Sequence, residues 1–136
     1  MSVIKITKDI ERVKSILDMV ELIERRIKKD NKNEFFPLIF SDYYEMIKEL
    51  ITALLICDGF RTFSHIELVD YLKKNYGEFN EREIFILDNL RILRNRVVYE
   101  GFKIPMNYLS DNEFSFLAII KKLKSLVITK LTEFIK

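Results

Sequence analysis

Apolar residues recur along most of this chain at steps of three and four, the repeat of one face of an α-helix. In the first such run Ile10, Val13, Leu17, Val20, Ile23 and Ile27 fall into register, which predicts a helix from about Thr7 to Lys29 that stops at the polar break Asp30-Asn31-Lys32-Asn33. A second helix is predicted over roughly Pro37 to Asp58. Pro37 is tolerable in a first turn, where its missing N–H costs no helical bond, and Gly59 follows just past the end.

Three later starts share one device. Ser64 is followed three residues on by Glu67, Asn80 by Glu83, and Ser110 by Glu113. This is the spacing of a capping box, in which one side chain accepts from a free backbone N–H and the acidic one reaches back. The predicted helices are about 65–76, 81–99 and 111–135. Gly77 and Gly101 fall just past two ends, where a left-handed residue is often needed. The segment Phe102 to Asn107, with Pro105 inside it, is the longest irregular stretch expected. Thr129-Lys130-Leu131 has strand propensity, but the unbroken series Phe114, Leu117, Ile120, Leu123, Val127, Leu131 and Phe134 keeps the segment helical. The predicted fold is all-α: one up-down helical bundle of about five helices spanning 1–136.

Composition narrows the class. The 136 residues include only 3 Gly and 2 Pro, too few turn formers for a β-sandwich or barrel of this length. The net charge of +2, from 23 basic and 21 acidic residues, argues against a non-specific nucleic-acid coat but allows a local basic patch. Cys57 is the only cysteine and sits in an apolar run, so it reads as a buried thiol. No apolar stretch reaches the length of a membrane span, and Met1 to Asp9 does not read as a signal peptide. The expected setting is cytoplasmic. One His and one Cys without clustered ligand spacing predict no metal site. No Gly-rich phosphate loop or Gly-x-Ser-x-Gly elbow is present, and no cofactor is expected.

The helix over 81–99 carries the candidate chemistry. Stepping about 100° per residue, Ile86, Leu90, Leu93 and Val97 form a wide apolar arc, extended by Leu87 and Val98. Ile84, Phe85 and Ile92 make a second apolar flank, so the helix is expected to be central. Asp88, Arg91, Asn95 and Tyr99 align as a narrow polar strip. Arg94 falls inside the main apolar arc, between the directions of Leu87 and Leu90. A guanidinium cannot stay buried alone: Arg94 must snorkel, meet an acid, or line a pocket or interface. Positive charge near a helix C-terminus is also favoured by the helix dipole, a purely structural reason for Arg91, Arg94 and Arg96.

These residues resemble those of a known group. Arg94-Asn95-Arg96-Val97-Val98-Tyr99 closing its helix is similar to the Arg-Asn-containing motif of the HEPN superfamily, in which an Arg is followed four to six residues later by His. Asp42-Tyr43-Tyr44, then Ala53-Leu54-Leu55 and Gly59-Phe60, resembles that family's tyrosine-bearing helix and its glycine end; Ser64-His65, Leu68 and Tyr71-Leu72 resembles the short helix that follows. The likeness covers roughly residues 42 to 101. It implies a helical bundle that dimerises with the Arg and His of both chains facing one cleft. It also implies a metal-independent endoribonuclease, an inactive partner of a minimal nucleotidyltransferase, or a toxin–antitoxin component.

The chain departs from the motif where Tyr99 takes the histidine position. Imidazole exchanges protons near neutrality, whereas a phenol with a pKa of about 10 is a poor base there. Tyr99 can still hydrogen-bond a phosphate or stack on a base, and Arg94 still suits phosphate whether or not a bond is cut. The expectation is therefore a homodimeric, HEPN-like protein that binds RNA or a nucleotide, or a nucleotidyltransferase-type partner, with weak or no nuclease activity. Its cleft would use Arg94, Asn95 and Tyr99, supported by Arg91 and Asp88. The alternatives are an active ribonuclease in which Tyr99 or His65 handles the proton, and a structural or antitoxin-type interaction module. His65, next to the cap Ser64, reads as structural, Tyr43 and Tyr44 as core, and Lys121, Lys122 and Lys124 as the wet face of the last helix.

Overall fold

The computed structural model describes residues 3–135; Met1 and Ser2, at the head of the segment read for a signal peptide, and Lys136 lie outside them. Five helices, α1 (Ile10–Lys29), α2 (Lys32–Asp58), α3 (His65–Asn75), α4 (Glu81–Glu100) and α5 (Met106–Ile135), form the all-α bundle that the periodicity predicts. A two-stranded antiparallel ribbon joins β1 (Ile4–Lys5) to β2 (Phe60–Arg61), with Ile4 opposite Arg61. The ribbon was not expected, because two-residue strands are too short to show alternation. No helix among the described residues is long and apolar enough to cross a membrane.

The helix starts show which signals decided. Asp9 caps α1 by accepting from the Arg12 N–H at 3.1 Å, so the helix begins after Thr7 and Lys8 rather than on them. Asn31 accepts from the N–H groups of Asn33 and Glu34, and α2 therefore starts at Lys32, not Pro37. Pro37 thus lies in the second turn, where it removes the donor that would have met the Asn33 carbonyl; Asn33 is exposed, so water can satisfy it. Asn80 and Glu83 close a reciprocal capping box at 2.8 and 3.0 Å, and Ser64 caps α3 through the Glu67 N–H.

The third predicted box does not form. α5 begins at Met106, directly after Pro105, five residues earlier than expected, which leaves Ser110 inside the helix donating to the Asn107 carbonyl. Glu113 is instead taken by Tyr43 at 2.6 Å and Lys32 at 2.9 Å. Of the glycines, Gly59 (φ 87°) and Gly101 (φ 67°) end α2 and α4 in the left-handed region, while Gly77 has no positive φ because Tyr76 already closes α3.

The central element is α2, not α4. Its apolar residues point in every direction, and it packs against all four other helices and β2. Ile39, Phe40, Tyr43, Met46, Leu50, Leu54 and Leu55 are essentially solvent-free. On α4 only Ile84, Leu87 and Leu90 are buried; Ile86, Leu93 and Val97 are half-buried, and Phe85, Ile92 and Val98 are exposed. Periodicity marks both the main arc and the second flank as apolar. Packing chose a face between them, because α4 covers one side of α2 and α3 rather than filling the middle.

Ion pairs tie the outer helices together. Lys122 reaches Glu83 and the Glu78 carbonyl, and Lys124 reaches Glu24 at 2.7 Å. Two of the three lysines read as a wet face are thus clamps from α5 to α4 and α1. Cys57 is buried as expected, and burial pushes its thiol up, away from reactivity.

Candidate functional site

Arg94 lies on the core-facing side of α4, in line with Leu87 and Leu90, and is half-buried. Its guanidinium sits over the Tyr44 ring, 5.3 Å from the centroid. Among the described residues it has no hydrogen-bond or ion-pair partner, and Tyr44 is the ring it contacts. Of the three outcomes open to a buried Arg, meeting an acid is thereby removed. A guanidinium over an aromatic face keeps its outward N–H donors available.

Tyr44 is the hinge of the cluster. Only 5% exposed, it comes from α2, and its hydroxyl lies 2.8 Å from His65 Nδ1 at the start of α3. The two rings are tilted with centroids 5.8 Å apart. Burial pushes the Tyr44 phenol up to about 12, with Arg94 and Arg91 pulling it down and Glu45 and Tyr99 pushing it up. It is therefore protonated at neutral pH. Burial, then Lys48 and Arg94, hold His65 below the usual imidazole value, so this ring is mostly neutral there. If the phenol donates, Nδ1 accepts and the ring proton sits on Nε2. In the opposite tautomer Nδ1–H donates to Tyr44 and the Nε2 lone pair is free to take a proton.

No family model, curated protein or solved structure gives a significant match to this chain.

The other residues singled out on α4 have different surroundings. Arg91 is half-buried and pairs with Asp88 at 3.4 Å, a long contact that leaves most of its donor capacity unused. Asn95 is half-buried with no hydrogen bond among the described residues. Tyr99 is 76% exposed, on the side of α4 away from Arg94, although close enough to Tyr44 to bear on its titration. Arg96 points elsewhere and stacks on Phe102 at 4.0 Å. Arg94 and Tyr99 thus do not share a face, as the helix geometry requires for residues about 140° apart. The neighbour the fold gives Arg94 is Tyr44, with His65 behind it. Among the described residues no three His, Cys, Asp or Glu side chains gather to hold a metal ion.

Sequence reasoning took Tyr44 as core and His65 as structural. Tyr44 is core by burial, but its polar tip is spent on His65 rather than on backbone. One signal was available: Tyr44 and Lys48 lie one turn apart on the second helix, so this edge had to face something polar. The second partner, brought in by α3, could not be read along the chain.

Proposed function

We propose that this chain is a HEPN-like, cytoplasmic, homodimeric protein that binds RNA or a nucleotide through the Arg94 cluster, with weak or no nuclease activity. The observation that carries the reading is the half-buried Arg94 guanidinium, stacked on Tyr44 and lacking any acid. A planar cation with free donors, beside Arg91 and a neutral imidazole, matches a phosphate and disfavours a carboxylate-free apolar partner. The test is fluorescence anisotropy with a labelled single-stranded RNA. Arg94→Ala is expected to weaken binding by about tenfold or more, the worth of a charge-assisted hydrogen bond, and Arg94→Lys to recover only part of it. Wild-type affinity in a folded Arg94→Ala protein would sink the reading.

The dimer rests on the uncovered flank of α4. Phe85, Ile92 and Tyr99 fall seven residues apart along one line and are 69%, 47% and 76% exposed. A second copy packed there would cover apolar surface. Phe85→Glu together with Ile92→Glu is expected to turn a dimer into a monomer by light scattering; a wild type that is monomeric at every concentration would remove this part.

One observation favours the enzyme alternative, an active metal-independent ribonuclease. His65 shares Tyr44 with Arg94, so a group able to move a proton and a group able to hold a phosphate flank one ring.

A further inference from the structure

Beyond His65 the surface continues into a groove that the Arg94 cluster does not use. It lies between the start of α1, β2 and the start of α3, and has a volume of about 410 Å³. His65 and Lys48 line it and also line the small space beside Tyr44, so the two regions adjoin. Arg12 and Arg61 line the groove, and neither guanidinium meets a carboxylate among the described residues. Two acids also line the groove: Asp9, which caps α1 through the Arg12 N–H, and Glu49, 3.6 Å from the Lys48 ammonium, which Glu45 also holds at 2.6 Å. Phe63, also lining the groove, is 79% exposed and carries the Arg61 guanidinium over its ring at 4.9 Å.

Two guanidiniums without a carboxylate partner leave this groove with N–H donors that an anion can use. A water-exposed phenyl ring gains when a flat ring covers it, and the guanidinium beside it favours a stacked, electron-rich partner. A phosphate with an attached aromatic base meets both needs. We infer that this groove binds a nucleoside phosphate, its phosphate taken by Arg12 and Arg61 and its base stacked on Phe63. The ligand is either a free nucleotide or one unit of a single strand that runs on past His65 to Arg94; the second form rests on the RNA reading above.

Two probes separate the sources: adenosine monophosphate, and a labelled single-stranded RNA of roughly 12 nucleotides, within the usual span of such sites. Both are titrated onto the wild type, the Arg12→Ala/Arg61→Ala double variant, Phe63→Ala and Arg94→Ala. All these groove side chains are exposed, and unchanged melting temperatures would confirm intact folding. The double variant is expected to bind about tenfold or more weakly, and for RNA to flatten the salt dependence of log K by about 0.7 for each phosphate contact removed. Phe63→Ala is expected to lose on the order of tenfold with the salt dependence unchanged, as removal of a stacking ring does. Monophosphate binding lost in the groove variants identifies a free nucleotide; RNA binding alone, weakened by the same variants, identifies a strand. Groove variants that bind both probes like wild type, while Arg94→Ala loses RNA, would overturn this inference and leave the Arg94 reading standing. The reverse pattern keeps the groove and removes Arg94. A wild type that binds neither probe overturns both.

Discussion

Asp58→Ala is expected to lower the melting temperature by roughly 10 °C, following a stability loss of about 3 kcal/mol. Asp58 is the last residue of α2, and its side chain is only 17% exposed. One carboxylate oxygen accepts from Tyr71 at 2.7 Å and Tyr76 at 2.6 Å, and the other from Lys130 at 2.9 Å. A single anion thus binds the end of α2 to the C-terminal half of α3, to its cap residue Tyr76, and to the last part of α5. Deleting it strands two largely buried phenols and an ammonium, and a buried donor without a partner costs more than the bond it made.

The pH dependence follows from the same contacts. Burial alone would raise the Asp58 carboxyl, but hydrogen bonds from Tyr76, Lys130 and Tyr71 outweigh it and hold the group below the ordinary carboxylate range. A depressed folded value means that this stabilisation is complete above the unfolded pKa of about 4 and is lost as pH falls through the folded one. Urea unfolding should therefore show a constant gap between wild type and Asp58→Ala near neutrality and a shrinking gap in acid below about pH 4. Asp58→Asn, which keeps one acceptor oxygen but loses the other and the charge, should fall between them. An Asp58→Ala protein that melts with wild type would show that the network is idle.

Tyr99→His is expected to raise metal-independent RNA cleavage by at least about a hundredfold over a weak or absent wild-type rate, the usual worth of a general acid or base. Two tasks are separable. Holding phosphate needs only fixed positive charge, which on the proposed reading Arg94 and Arg91 would supply. Moving a proton at neutral pH needs a group that can titrate there. An exposed imidazole can, and position 99 is near enough to influence Tyr44. Arg94→Ala in the same background should abolish the gain, because no anion would be held. His65 provides the internal comparison. If wild type already cleaves in EDTA and His65→Ala abolishes that activity, the proton is carried through the Tyr44–His65 pair and Tyr99 is not the decisive departure. A Tyr99→His protein no faster than wild type, with RNA binding intact, would remove position 99 from the chemistry.

Much of this architecture is written along the chain. Helix identity came from apolar steps of three and four, and the caps Ser64 and Asn80 with the ends Gly59 and Gly101 needed only local chemistry. Where two local signals competed, the structure chose. Asn31 outranked Pro37 because a side chain that accepts from two free N–H groups starts a helix, while Pro merely tolerates the first turns. At Ser110 the spacing was right but irrelevant, since the chain after Pro105 was already helical and Glu113 was claimed by Tyr43 and Lys32. The discomfort of Arg94 inside an apolar arc was legible from helix geometry alone. What lay opposite it was not. Periodicity gives the direction of a side chain around its own axis and nothing about the neighbouring helix. That α2 offers Tyr44 and α3 delivers His65 to the same ring is a product of crossing and register between helices, set by how three apolar faces exclude water together. The same collective choice left Phe85, Ile92 and Tyr99 uncovered, although Phe85 and Ile92 belong to an apolar flank that periodicity alone would bury.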